Sequence, residues 1–285
     1  MNYIFPRFPE GRTKAVTLSY DDGHHHDIRL AETINRYGLK CTFNLMGSRV
    51  EKERFLSHAF IREELLGKGH EIANHGYLHR AQNKIRPIEG IRDVLDCRIA
   101  LEKAFGIIVR GMAYPDSPVN RFTDPDTYER IRGNLTDLGI DYARTFGGDN
   151  DAFALPTDWY HWVPTAHHDN PEIMDYIDRF MTLDVSAQYI ANRHPRLFYL
   201  WGHSFEFEHK QNWDHLEEIC RKLGGRSDIW YATNIEICDY VRAYDALRYN
   251  AEGTAVYNPT CQTVWLDAAG VPYTVRPGET VRLGT

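Results

Sequence analysis

The chain has 285 residues, 42% hydrophobic and 26% charged, the composition of an ordinary globular protein. It contains no apolar run long enough to span a bilayer. Lys and Arg number 33 against 40 Asp and Glu, a net charge of −7, which disfavours DNA or RNA as a partner. The length suits one barrel-sized domain or two small ones. The N-terminal stretch from Met1 to Arg7 has no basic segment followed by an apolar one, so no secretory signal and a cytoplasmic setting are expected. Cys41, Cys97, Cys220, Cys238 and Cys261 are odd in number, widely spaced and free of any CxxC. They predict neither a disulfide framework nor a cysteine zinc knuckle.

In chain order, Ala15 to Tyr20 predicts a strand ending at Asp21-Asp22-Gly23, followed by a helix from Asp27 to Tyr37 that Gly38 stops. Cys41 to Met46 and His70 to Asn74 predict the next two strands. Ile88, Ile91, Leu95 and Ile99 recur at helical steps and predict a helix that buries that face. Ile107 to Tyr114 is the fourth strand, and Asp124-Pro125 is a cap with proline at the first helical position. Asp141 to Phe146 predicts a further strand, and Asn170-Pro171-Glu172 repeats the helix opening. Leu197 to Trp201 runs as a strand into Gly202-His203. Leu216, Ile219, Cys220 and Leu223 form a helical stripe, Ile229 to Ala232 a strand, and Thr233-Asn234-Ile235-Glu236 a capping box opening a helix to about Tyr249. Such alternation predicts a mostly parallel sheet covered by helices, and the number of units favours a closed or nearly closed barrel. Beyond Asn250, Ala255 to Tyr257, Thr263 to Leu266 and Tyr273 to Arg276 are short extended runs. The expected organisation is therefore a barrel over 1–250 with a β-rich appendage over 251–285 packed against it.

Three clusters stand at ends of predicted strands. Asp21 and Asp22 are neighbouring carboxylates that can take different tasks, one holding a metal and one handling a proton, or simply form a surface turn. His75 and His79 are four apart, so they lie on one face of a helix or turn, as metal ligands or as ordinary polar histidines. Together one Asp and two His make an N,N,O set with open positions, as in catalytic zinc sites. His203, just past a strand, is a general-acid candidate if it faces that site, and otherwise a loop residue.

These residues resemble the polysaccharide deacetylases of carbohydrate esterase family four, the NodB-homology enzymes. Leu18-Ser19-Tyr20-Asp21-Asp22-Gly23 is similar to their TFDDG motif. His75-Gly76-Tyr77-Leu78-His79 is similar to H-S/T-x-x-H, and Trp201-Gly202-His203 to L-x-H. The order and spacing agree over roughly residues 15 to 240. The resemblance implies α/β architecture in a distorted (β/α) barrel, Asp21 as catalytic base, and Asp22, His75 and His79 as metal ligands. It also implies His203 as catalytic acid and Trp201 beside the acetyl methyl. The best match to the family's R-x-P-Y-G lies in Gly111-Met112-Ala113-Tyr114-Pro115-Asp116-Ser117, with Ala113 where the Arg belongs. Arg110 is the nearby candidate for its role, while Tyr114 and the backbone N–H near Asp116 are candidates for substrate and oxyanion contact. The Asp-Trp motif aligns with Asp158-Trp159.

His24-His25-His26 cannot all reach one ion and are expected as loop residues or substrate contacts. His167-His168 reads as a polar wall of the site or a solvated turn, and Glu206 and Glu208 as sugar contacts or an acidic loop. The expected activity is hydrolytic removal of an acetyl group from an acetylated sugar or oligosaccharide, with Zn²⁺, or Co²⁺, Ni²⁺ or Fe²⁺ in the same ligand set. Alternatives are a hydrolase of a non-sugar amide or cyclic ureide on the same scaffold, and an inactive carbohydrate-binding protein. Neither nucleic acid nor membrane is expected as a partner, and nothing in the sequence supports an oligomer.

Overall fold

A computed structural model describes residues 3–120 and 123–284. Met1, Asn2, Arg121, Phe122 and Thr285, which the expected domain bounds include, lie outside it. The elements run β1 (Ile4–Arg7), β2 (Lys14–Asp22), α1 (Asp27–Arg36), β3 (Cys41–Leu45), α2 (His58–Phe60), β4 (Glu71–Asn74), α3 (Pro87–Phe105), β5 (Gly111–Ala113), α4 (Pro125–Asp137), β6 (Tyr142–Arg144), β7 (Ala166–His167) and α5 (Ile173–Thr182). They continue as β8 (Arg196–Gly202), α6 (Ser204–Lys210), α7 (Trp213–Leu223), β9 (Ile229–Tyr231), α8 (Asn234–Asp245), β10 (Arg248–Tyr249), β11 (Ala255–Tyr257), β12 (Val264–Ala268), β13 (Val271–Val275) and β14 (Thr280–Arg282).

The central sheet is parallel and curled, in the order β6-β5-β4-β3-β2-β8-β7, with β9 also paired to β2. Its two ends approach through one stretch of chain. Trp162 makes a parallel bridge to Arg144 of β6, and a few residues on, Ala166 and His167 pair with Leu200 and Trp201 of β8. The expected distorted barrel is thus present, closed by that single bridge. Strand alternation sorts the side chains. Val16, Leu18 and Tyr20 of β2 join Leu30, Ile34, Leu216 and Ile219 in the layer beneath the helices. Ala15 joins Tyr142, Trp162, Leu197 and Tyr199 in a second cluster on the sheet's other side. Asp21 therefore follows Ala15, Thr17 and Ser19 to the inner face, at the C-terminal mouth where a parallel barrel carries its chemistry.

Most expected elements are present within a few residues. Asp124 caps α4, its carboxylate accepting from Thr127 N at 2.9 Å, and the Thr233/Glu236 capping box opens α8. All five cysteines are free, and Cys220 is buried. Helix α3 forms where the periodicity placed it but buries another face. Ile88 and Ile99 are 57% and 52% exposed, while Gly90, Val94, Cys97 and Leu101 face inward. Cys97 Sγ reaches the Leu45 carbonyl of β3 at 3.3 Å and Gly90 lies against Gln82 and Ile85, so packing, not the Ile/Leu stripe, sets the helix rotation. The predicted last helix stops at Asp245 because Arg248 and Tyr249 enter a strand. That strand belongs to an antiparallel sheet β10-β11-β14, and the N-terminal β1 pairs with β12 in a second one, β1-β12-β13. Leu247, Val256, Val264, Leu266 and Val275 bury a small core shared with Ala243 of α8. No helix among the described residues is long and apolar enough to cross a membrane.

Candidate active site and metal centre

At the barrel mouth Asp21 ends the inward-facing set of β2 and is almost wholly buried. Asp22 has φ +80, a left-handed backbone that departs from the strand and re-aims its carboxylate. His75 directly follows β4, and its Nδ1 lies 2.9 Å from the Ala113 carbonyl. That contact makes Nδ1 the protonated nitrogen and leaves Nε2 as a lone pair. His79, with φ +58, closes the turn and has Nδ1 3.3 Å from Asp116 Oδ1, which orients its Nε2 in the same way.

The three free atoms converge. Asp22 Oδ1 is 3.5 Å from His75 Nε2 and 3.4 Å from His79 Nε2, and the two nitrogens are 3.2 Å apart. Bonds of roughly 2.0–2.2 Å in a tetrahedral ion give ligand edges of about 3.3–3.6 Å. Asp22 Oδ1 is also a buried atom with no hydrogen-bond partner, and buried carboxylate oxygens rarely stay so. The residues fit a divalent ion. Gly76, where Ser or Thr is usual in the resembled motif, has φ +74, and a Cβ there would meet Asp93 Oδ2 at 2.3 Å. The carboxylate of Asp93 fills that space and accepts from Leu78 N at 2.7 Å, bracing the turn.

Asp21 lies beside this set, its Oδ2 4.0 Å from His75 Nε2. Asn44 donates to its Oδ1 at 2.8 Å and the Arg144 guanidinium to its Oδ2. Burial pushes the Asp21 carboxyl up, but Arg144, His75 and His203 outweigh it and hold it below its ordinary value. Arg144 answers the question raised by Ala113. The two residues are in register on neighbouring strands, so both occupy the last inward position before the mouth. Arg110, the nearby candidate from sequence, pairs instead with Asp141 and Asp239. Sequence reading missed Arg144, although an arginine inside the apolar run of β6 was a visible anomaly.

His203, following β8, completes the group from the other side, with Nε2 3.9 Å from Asp21 Oδ2. Its Nδ1 is 3.4 Å from Glu206 Oε2, and Glu206 also accepts from His203 N at 3.1 Å. Burial pushes His203 down, but Glu206, Asp21 and Asp22 together raise it to about 9. Glu206, expected as a sugar contact or loop acid, is thus the partner of this imidazole. Trp201 stands over Arg144, 4.4 Å from guanidinium carbon to ring centre, and stacks on Phe146.

Other predicted residues lie apart. Tyr114 is buried with Val94, Met112 and Ile131, its hydroxyl donating to the Tyr160 carbonyl. Its N–H is committed to the Arg144 carbonyl at 3.0 Å and cannot serve an oxyanion. Trp159 packs edge-on against Trp162, and Asp158 takes the Tyr128 hydroxyl rather than any histidine. His168 is fully buried, beside Glu206 rather than at the Asp21 group. Asp22, His24, Met46, Arg49, Phe55 and His79 line an open depression at the mouth.

Residues 9–129 match the family model described as polysaccharide deacetylase, a span that contains Asp21, Asp22, His75 and His79 but not Arg144 or His203. Among curated proteins, the peptidoglycan-N-acetylmuramic acid deacetylase PdaC of Bacillus subtilis (strain 168) is 26% identical over 95 residues, covering 33% of this chain and 19% of PdaC. The chain thus matches less than a fifth of that relative's length. Among solved structures, a protein from Mycobacterium smegmatis described as a "putative polysaccharide deacetylase" superposes with TM-score 0.56 at 18% identity, covering 85% of this chain and 94% of that one. A variant of the peptidoglycan deacetylase PdaC from Bacillus subtilis gives TM-score 0.50 at 17% identity, covering 82% and 94%. These superpositions show a shared fold.

Proposed function

We propose that this chain, which belongs to the polysaccharide deacetylase family, is a metal-dependent hydrolase that removes an acetyl group from an acetylated sugar or oligosaccharide. The observation that carries the reading is the convergence of Asp22, His75 and His79, with Asp21 on one side and His203 on the other. A divalent ion held by those three supplies Lewis-acid polarisation and a water of lowered pKa. Asp21, kept ionised by Arg144 and oriented by Asn44, takes the proton of the attacking water. His203, kept protonated by Glu206, gives its proton to the departing amine or alkoxide. Trp201 closes one wall with an apolar face suited to a methyl group.

Ala113 in place of the Arg of R-x-P-Y-G is the departure that favours the alternative substrate, a non-sugar amide. With Arg144 on Asp21 the departure is one of strand position, and the chemistry around the base is that of the sugar deacetylase reading. The test is acetate release from a panel of N- and O-acetylated sugars, chitin oligomers and xylan oligomers, with Zn²⁺, Co²⁺ or Ni²⁺ supplied. Release that disappears in Asp21→Asn supports the reading. No acetate from any substrate with metal bound sinks it.

A further inference from the structure

We propose that His167, His168, Asp169 and Glu206 form a second binding site for a divalent first-row transition ion, separate from Asp22, His75 and His79. One ligand atom from each of the four lies within 4.8 Å of all the others. His168 Nε2 is 3.3 Å from Asp169 Oδ2 and 3.4 Å from Glu206 Oε2, and His167 Nε2 is 3.1 Å from the same oxygen. These spacings are close to the edges of a four-coordinate ion with bonds of about 2.0–2.2 Å. Two imidazoles with two carboxylates suit zinc, iron or manganese better than an all-oxygen ion such as calcium.

The independent observation is His168. Its side chain is wholly buried, yet neither ring nitrogen makes a hydrogen bond. The residue is held on several sides: its ring stacks on Phe207 with centroids 4.0 Å apart, its backbone N–H donates to the Trp201 carbonyl, and its backbone carbonyl meets His215 Nε2 at 2.8 Å. Gly202 makes the position possible, because a Cβ there would lie 1.9 Å from His168 Nδ1. With Nδ1 against that glycine, Nε2 is the nitrogen directed at the carboxylates. A wholly buried imidazole whose Nε2 faces two carboxylates at 3.3 and 3.4 Å, with neither contact in hydrogen-bond geometry, is placed as a ligand.

One cation already stands at the rim. Lys210 Nζ is 2.6 Å from Asp169 Oδ2, on a half-exposed side chain that can swing aside. The competing possibility is a metal-free cluster in which Lys210 and protonated His203 balance the two carboxylates. Co²⁺ is the probe that separates them. The whole chain is equilibrated with Co²⁺, freed of excess, and its ions counted by elemental analysis. His79→Ala, deprived of the first site, should still retain one ion per chain. Asp169→Asn in that background should retain none, and His167→Ala serves in its place should the first variant not fold, as judged by circular dichroism. An empty His79→Ala chain overturns the proposal. So does an ion that survives loss of Asp169 or His167, since it must sit elsewhere, as on His24, His25 and His26. Because the count never uses catalysis, it stands or falls independently of the deacetylase reading.

Discussion

Arg144→Met is the substitution that most directly tests how the buried base is controlled. The wild-type guanidinium is wholly buried, donates to Asp21 Oδ2, and lies over Trp201 at 4.4 Å. Its Nε and Nη1 find no other partner, so its polar role is concentrated on Asp21. Removing one partner of a buried ion pair costs about 3–5 kcal/mol, because the other charge is left uncompensated. Here Asn44 still donates to Oδ1, His75 and His203 stand near Oδ2, and methionine fills most of the volume. The low end, about 3 kcal/mol, is expected. At about 2–4 °C per kcal/mol for a domain of some 150–250 residues, thermal unfolding should fall by roughly 6–12 °C.

The sign of the pH dependence is also fixed. The Asp21 pKa is depressed in the fold, so the pair contributes stability above the ordinary carboxylate pKa and loses it as pH falls through the depressed value. Without Arg144, burial is opposed only by the weaker influence of His75 and His203, so Asp21 rises. The gap between wild type and variant should therefore narrow in acid. The acid limb of kcat/KM should move up by about 1–3 pH units, the range by which an adjacent arginine lowers an aspartate. Asp21→Asn should remove most of the penalty, so the double variant should be more stable than the sum of the single losses predicts. An unmoved acid limb together with an unfolding midpoint within a degree of wild type would refute the assignment of Arg144 to Asp21.

Three further outcomes are expected. His79→Ala should lose the ion of the Asp22, His75 and His79 centre, read as one ion fewer per chain by elemental analysis; an unchanged count removes these residues from the ligand set. Asp21→Asn should keep that ion while kcat falls about 10²–10⁴-fold, the usual contribution of a general base, whereas Asp22→Asn should weaken metal binding itself. Glu206→Gln preserves an acceptor for His203 N but removes the carboxylate that raises the imidazole to about 9. Its alkaline limb of kcat/KM should shift down by about one to two units towards the ordinary histidine value near 6.5, and a limb that stays in place argues that Glu206 does not govern His203.

The fold was largely legible because its cues are local. Asp124 before Pro125 and the Thr233-to-Glu236 box mark helix starts through their own hydrogen bonds, and β2, β3 and β8 are apolar runs too short and β-branched or aromatic to be helices. What escaped depends on partners distant in sequence. β1 becomes a strand only by pairing with β12, more than 250 residues later. The exposed Ile88 and Ile99 show the same limit. Period 3.6 says that α3 has an apolar stripe, but the packing of Val94, Cys97 and Leu101 decides which stripe turns inward.

The site divides along the same line. Asp21, Asp22, His75 and His79 were legible because each ligand set sits in one short motif at one strand end. The groups that tune them were not, since they reach the mouth from other strands and are defined only by register. Ala113 and Arg144 show why. A parallel sheet fixes which residues are level across neighbouring strands, so the last inward position on β5 and that on β6 are near-equivalent places from which to reach Asp21. A guanidinium can therefore occupy either one while still reaching the carboxylate, at the cost of breaking a linear motif. Glu206 follows the same logic on a smaller scale. As the third residue of α6 it caps the helix through His203 N and, from that fixed place, reaches His203 Nδ1, so one carboxylate both starts a helix and sets the charge of the residue before it. The fold constrains where charge must be delivered around Asp21 and His203, but it leaves open which strand or turn delivers it.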